Sequence, residues 1–458
     1  MIKKLLWYRK NIISKMNLEI VVRKVENGKV ITEKIIKEVE VKKAATILDL
    51  GFRHKEQIDI IGSIQEEYIP LQANKLSEKY TKCEKCGGKT RKDGTHYVHY
   101  HSSLSDHKVK MQGHACKCGW RKKPSIHGEY GTNVHPDLIK MQGILGAKMP
   151  YKEAEETLGK FSCQKRSVNN HVKIAEATNK VGSILNKIKL KEEVSAKEDT
   201  GHLYMQVDGG HVKDKDKKKR SFEALIAAVF KESSYRESIK KNIPISKHVA
   251  ASAINDGGEI INKFVLDAAK KEGMTKSTEI TAFCDGATNC WNIVNSLESH
   301  CKSITKILDW YHIRQSYDRA KISLPDYVEQ LDSSKYKVWH GKADEAIKKL
   351  TNLEKELIDA KVADTKIAKV TLIKTYLLNN IDKLVNYMDR KEAKLPYTSS
   401  IAETTVESQI NTRFKRKQKM QWTRENAHNV LQIKTTMHSN EWDKYQMNID
   451  NELILKAA

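Results

Sequence analysis

Two runs decide the fold: Thr278-Glu-Ile-Thr-Ala-Phe-Cys284-Asp285-Gly286-Ala287, and Ile304-Thr-Lys-Ile-Leu-Asp309-Trp-Tyr-His312. Each is a short apolar run that ends in an acid. Between them, from Asn289 to His300, Trp291, Ile293, Val294 and Leu297 recur on a helical period. Strand, helix, strand with the strands parallel is the natural reading, because such strands need a crossover of this length. Polar groups at the carboxyl ends of such strands stand where open α/β sheets bind their ligands. An earlier run, Leu203-Tyr-Met-Gln-Val-Asp208-Gly209-Gly210, ends the same way. Acids on neighbouring strand ends suit a hard divalent cation, which takes one or two carboxylates plus water and phosphate oxygens.

The chain has 458 residues, 39% hydrophobic and 31% charged, with a net charge of +24. That length predicts several domains. No apolar run approaches the ~20 residues of a membrane span, and the basic N-terminus lacks a signal-type apolar core. The expectation is a cytoplasmic protein with no membrane partner. A surplus of positive charge this large points to a polyanion, since neutralising phosphates releases counterions.

Asn17 to Glu40 alternates apolar and polar residues around Asn27-Gly28, a hairpin turn signal. A helical stretch follows to about Leu76. Residues 1–80 therefore read as a β-hairpin plus helix, with no function assigned. Cys83-Glu-Lys-Cys86-Gly-Gly and Cys116-Lys-Cys118-Gly-Trp follow, and their four thiolates suit one tetrahedral Zn²⁺. His96, His99, His101, His107 and His114 lie between and could each replace a cysteine. A zinc ribbon over 81–125 is expected, with strands around His96–His101 and Lys108–His114. The remaining four of the eight cysteines are scattered, which excludes a disulfide framework.

Within 135–185 a helix, Tyr151 to Gly159, precedes a second that is expected to start near Gln164 and run through Lys173. The pair reads as a helix-turn-helix. Arg166, Asn169, Asn170 and Lys173 are the side chains expected to meet phosphates and base edges. The blander use of this shape is a helical hairpin on a core. Lys213-Asp-Lys-Asp-Lys-Lys-Lys-Arg220 is a charged turn between strands, either a solvated loop or a phosphate contact. Strands are expected at Phe222–Phe230 and His248–Ile254, and a helix at Glu259–Lys271. Residues 313–396 read as a helical insertion, helical throughout to about Lys391 and broken at Lys394-Leu-Pro-Tyr.

The last chemical stretch begins at Ser399 and ends at Trp422. Ser400 with Glu403 three residues on is a capping box, which gives Glu403 a structural task. Glu407, one turn further on the same face, is then the catalytic candidate, with Glu403 the alternative. Arg413, Lys415, Arg416, Lys417 and Lys419 form a basic run suited to DNA or to solvent.

An Asp on a first strand, an Asp on a fourth and a Glu on a later helix is the arrangement of ribonuclease-H-like (RNase H-like) nucleotidyl transferases. The chain resembles the DDE-type transposases of bacterial insertion sequences, in the Mutator-like branch. The resemblance is carried by Val207-Asp208-Gly209, Cys284-Asp285-Gly286-Ala287 with Trp291, Asp309-Trp-Tyr-His312 and Val406-Glu407-Ser408 through Arg413 to Trp422. One departure is Ile401-Ala-Glu403-Thr, where similar proteins are often Gly-rich.

The resemblance implies a multidomain α+β or α/β chain, with an RNase H-like mixed-sheet core in 200–312 and 397–440 interrupted by an all-helical insertion. It implies catalytic Asp208, Asp285 and Glu407, with Asp309 and His312 beside them. Two Mg²⁺ or Mn²⁺ ions, roughly 3.5–4 Å apart, would activate the attacking oxygen and stabilise the leaving one. The implied activity is cleavage at element ends and joining of the 3′-OH to target DNA, by a homodimer or larger synaptic assembly associated with the nucleoid when DNA is bound. The alternative is a non-enzymatic DNA-binding protein derived from such an enzyme.

Overall fold

The structure is a computed structural model that describes residues 16–42, 44–196, 198–237, 246–415 and 420–454. These form two compact units. The first contains the described residues up to Met141, Lys152–Lys173 and those from Asp450; the second contains Gln142–Tyr151 and Ile174–Ile449.

The first unit opens with β1 (Asn17–Glu26) and β2 (Lys29–Glu40), paired antiparallel. Asn27 and Gly28 both take positive φ, +49° and +78°, as the two-residue turn of a tight hairpin requires. Helix α1 (His54–Glu78) holds the hairpin through Glu67, which receives Lys24 at 3.0 Å and Lys34 at 2.7 Å.

Strands β3 (Arg91–His101), β4 (Asp106–Ala115) and β5 (Arg121–Lys122) make a three-stranded antiparallel sheet. Along β4, His107, Val109 and Met111 are buried while Lys108 and Lys110 are exposed, the period-two signature of a half-covered strand. Its apolar face packs on Ile69 and Ala73 of α1 and on Ile126 of α2 (Ile126–Tyr130). Helices α3 (Pro136–Lys148), α4 (Tyr151–Phe161) and α5 (His171–Lys191) follow. The second helix of the expected pair starts at His171 rather than near Gln164. The intervening chain carries only a single 3-10 turn, Ser167–Asn169.

The second unit is built on one mixed sheet of five strands, β6 (His202–Lys213), β7 (Ser221–Lys231), β8 (His248–Ser252), β9 (Glu279–Cys284) and β10 (Ser303–Leu308), in the order β10-β9-β6-β7-β8. Strands β6, β7 and β8 pair antiparallel, while β9 and β10 run parallel to β6. Helix α6 (Glu232–Glu237) follows β7, α7 (Glu259–Lys271) crosses from β8 to β9, and α8 (Thr288–Asn295) crosses from β9 to β10. Leu203 to Val207 are all buried, as expected of a central strand covered on both faces.

After β10 the chain is helical: α9 (Trp310–Ser323), α10 (Val328–Trp339), α11 (Ala343–Asp359), α12 (Asp364–Leu378) and α13 (Tyr387–Glu392). Ala346, Leu350, Leu353 and Leu357 give α11 a buried stripe at helical spacing. This insertion is tied to the sheet ends, because the Tyr387 hydroxyl donates to the Leu308 carbonyl at 2.8 Å. Helix α14 (Ser400–Val406) returns to the sheet and runs into a π-helical turn, Glu407–Asn411. The chain closes with α15 (Thr412–Phe414), α16 (Arg424–His438) and α17 (Trp442–Ile454). Among the described residues no helix is long and apolar enough to cross a membrane.

Candidate metal centres

Register brings three acids to one edge of the five-stranded sheet. Gln206 pairs with Phe283 and Cys284 with Leu308, so Asp208, Asp285 and Asp309 stand just past the ends of that pairing on three adjacent parallel strands. Gly286, at φ +98°, lets the chain turn sharply after Asp285. A Cβ there would lie 2.8 Å from the Tyr376 ring, whose hydroxyl donates to the Asp285 carbonyl at 2.6 Å. Gly210 is equally constrained, since a Cβ would meet Ile410 of the π-helical turn at 2.8 Å. The neighbouring Cys284 is a buried strand residue, and burial pushes its thiol well up.

Asp309 is fully buried and already employed. Its carboxylate accepts the Tyr311 N–H at 3.1 Å, the Ser399 N–H at 2.8 Å and the Ser399 hydroxyl at 2.7 Å. It thereby caps α9 and pins the residue preceding α14. Gln206, two residues before Asp208, does the rest. Its side-chain oxygen accepts the N–H groups of Ile401 and Ala402, both at 3.0 Å, and its amide donates to the Thr398 carbonyl at 3.1 Å. Two groups reaching over from the sheet thus satisfy the start of α14.

That arrangement overturns the capping-box expectation. Ser399 rather than Ser400 is the residue before the helix, and no side chain of its own caps it. Glu403 is left free of capping and turns toward the strand ends. Its Oε1 lies 4.0 Å from His312 Nε2, which is 3.7 Å from Asp309 Oδ2. Both Glu403 Oε1 and His312 Nε2 are buried without a hydrogen-bond partner among the described residues. Burial, then the charges of Asp309 and Asp208 against the opposing His312, push the Glu403 carboxyl up to about 7. Burial also raises Asp208, whose Oδ1 accepts the Gly209 N–H at 2.7 Å. Glu407 is exposed in the π-helical turn and receives the Asn411 amide at 2.8 Å.

Asp309, His312 and Glu403 offer one ligand atom each within 4.8 Å of one another. Glu403 Oε1 and His312 Nε2, buried and unpartnered, face each other across a gap that fits a divalent cation, with the hydrogen-bonded Asp309 carboxylate beside them. An imidazole donor suits a first-row transition ion better than Mg²⁺, which takes oxygen ligands.

The second cluster is Cys83, Cys86, Cys116 and Cys118, again within 4.8 Å. Cys83 and Cys118 sulfurs are 3.6 Å apart, and those of Cys86 and Cys116 are 3.5 Å apart. Zn–S bonds of about 2.3 Å in a tetrahedron place sulfurs about 3.8 Å apart, so the donors fit one Zn²⁺. His96, His101, His107 and His114 do not substitute for any thiol. They bond instead to Pro124, Asp106, Ser105 with Gln65, and Thr90.

No family model matches the chain, and no curated protein matches it.

The expected DNA-reading residues fare differently. Arg166 is buried, and its guanidinium donates to the carbonyls of Ser102, Ser103 and Ser105 and to Asp106. Asn169 is buried too. Asn170 accepts the N–H groups of Val172 and Lys173 and so caps the start of α5. These three are structural, because a guanidinium satisfied by the protein is not offered to a base edge. Lys173 is exposed. Arg166→Met should lower unfolding stability by about 2–4 kcal/mol, the scale for removing one side of a buried charged network. Denaturant unfolding of the folded variant measures this, and a change under about 0.5 kcal/mol would contradict the structural assignment.

Arg413 is likewise buried. It donates to the Gly146 carbonyl at 2.8 Å and lies between the rings of Tyr151 and Trp422, 4.8 and 4.6 Å from their centroids. Lys415 is exposed. Arg416, Lys417 and Lys419 lie outside the described residues. The residue that sequence reasoning missed entirely is Gln206. A polar side chain in an otherwise apolar strand, two positions before the acid, was the available signal.

Proposed function

We propose that the chain is a metal-dependent DNA nucleotidyl transferase of the DDE transposase kind, with an RNase H-like core and Asp208, Asp285 and Glu403 as its acids. One observation carries this reading. Acids on the first and fourth strands of a mixed sheet lie side by side, and a carboxylate from a later helix turns toward the same edge. Bound divalent cations would supply Lewis acidity at the attacking and leaving oxygens of a phosphodiester. The chain's own residues do the positioning. Gln206 and Asp309 set the start of α14, and His312 faces the Glu403 carboxylate across 4.0 Å, where the two could share an ion. We further propose that the four thiolates hold one structural Zn²⁺ in a ribbon. Action on element ends and target DNA, a synaptic dimer or larger assembly, and cytoplasmic, nucleoid-associated work belong to the same proposal.

The test is Mg²⁺-dependent cleavage of a duplex carrying the DNA that flanks the coding sequence. Asp208→Asn and Asp285→Asn keep shape and remove charge. Each should reduce cleavage and joining at least ~10³-fold, worth about 4 kcal/mol of barrier, while binding to the same DNA survives. Binding without any metal-dependent cleavage by the unaltered chain would favour the non-enzymatic alternative.

A further inference from the structure

The hairpin of β6 and β7 does not stop at the acidic edge. Strand β6 pairs with β9 only as far as Gln206, whereas its pairing with β7 runs on to Lys213 opposite Ser221. Lys213 lies five residues beyond Asp208, about 17 Å of extended chain at ~3.3 Å per residue. The arm therefore projects past the acids in the direction in which β6 leaves the sheet.

Its tip, Asp214 to Arg220, is ordered by its own carboxylates. Asp214 accepts the Asp216 N–H at 2.9 Å, and Asp216 accepts the Lys218 N–H at 3.0 Å. Both acids are thus used in shaping the turn. Lys215, Lys217, Lys218, Lys219 and Arg220 are exposed, and none makes an ion pair among the described residues. The base of the tip is fixed to the segment that follows the Glu403 helix. Lys215 N–H donates to the Trp422 carbonyl at 2.9 Å, and Trp422 N–H donates to the Lys213 carbonyl at 3.0 Å. Trp422 is buried, edge-on to Phe414 at 4.9 Å. A merely solvated loop gains nothing from crowding five exposed cations on an anchored arm, where they repel one another.

We infer that this arm is a phosphate clamp, which grips the backbone of duplex DNA about five base pairs from the bond aligned at the acids, given ~3.4 Å per base pair along a strand. The inference rests on the nuclease reading above and adds the place of the DNA contact. It reads no sequence, because lysines spread over a turn neutralise phosphates without forming base-specific pairs.

The experiment uses the full chain and the flanking-DNA duplex. Binding is followed by fluorescence anisotropy across a salt series without divalent cation. The variant K215E/K217E/K218E/K219E should weaken binding at least tenfold near 0.1 M salt. It should also flatten the plot of log affinity against log salt by about 3.6, since each of the four lost phosphate contacts removes ~0.9. The milder K217Q/K218Q should flatten it by about 2 and covers the case in which the charge reversal does not fold. Asp208→Asn should bind with the unaltered slope. Unchanged slopes in the loop variants, with Asp208→Asn inactive, overturn the clamp alone. Flattened slopes with Asp208→Asn still cleaving leave the clamp standing and overturn the nuclease reading.

Discussion

Glu403→Gln should abolish cleavage and joining, and Glu407→Gln should leave them within about threefold of the unaltered chain. The expected loss in the first is at least ~10³-fold, or about 4 kcal/mol of transition-state stabilisation. Glutamine keeps the shape of Glu403 and removes the charge that faces His312 at 4.0 Å. Glu407 points to solvent with Asn411 as its neighbour, so its neutralisation removes nothing from the strand ends. Single-turnover rates at saturating Mg²⁺ measure both. Mn²⁺ affinity gives a readout independent of turnover, and should fall in Glu403→Gln alone. Its pH dependence has a defined sign. The Glu403 carboxyl sits at about 7 without metal, so below that pH a proton competes with the ion, and affinity should drop up to tenfold per pH unit. An inactive Glu407→Gln beside an active Glu403→Gln would return the third acid to Glu407.

That pair of glutamates marks where sequence reasoning ran out. The strand ends were legible because each is a local pattern, an apolar run closed by Asp and, at two of them, Gly. The hairpin at Asn27-Gly28 was legible for the same reason: turn chemistry is set by adjacent residues. The helical insertion followed from continuous helical periodicity. Which glutamate faces the strand ends depended instead on what satisfies the first turn of α14. Ser400 and Glu403 have the spacing of a box, and no local feature argues against it. The groups that displace it, Gln206 and Asp309, come from strand ends far back in the chain. Arg166 repeats the lesson. In sequence it reads as a basic side chain on a recognition helix. In the fold, Asp106 and three carbonyls from the β3–β4 turn claim it before any ligand could. A basic residue whose partners lie sixty positions away carries no local mark of being buried.

Removing zinc should unfold the β3–β4–β5 sheet. The core behind that sheet is small, chiefly Ile69, Ala73, Val109, Met111 and Ile126, and β5 is only two residues long. What closes its open end is the pair of knuckles. In each, a tight turn returns on the first cysteine: Gly87 N–H donates to the Cys83 carbonyl at 2.9 Å, and Gly119 N–H to the Cys116 carbonyl at 3.1 Å. Tyr80, buried just ahead of Cys83, meets the Trp120 ring just after Cys118 at 6.4 Å. With one Zn²⁺ bound as proposed, the knuckles and their aromatic cover would depend on four sulfurs sharing one centre. Structural zinc contributes on the order of 10–16 kcal/mol in small domains, as much as a whole domain's typical ~5–15 kcal/mol of stability. Metal analysis should find about one zinc per chain. Chelation, or Cys83→Ser with Cys116→Ser, should abolish protection of β3 and β4 amides in hydrogen exchange, while β6 and β9 stay protected. Loading releases thiol protons, so zinc affinity should fall as pH falls. A chain that holds no zinc, and whose β3 and β4 protection ignores both chelator and Cys→Ser changes, would reduce the four thiols to neighbours and leave the sheet to stand on its small core alone.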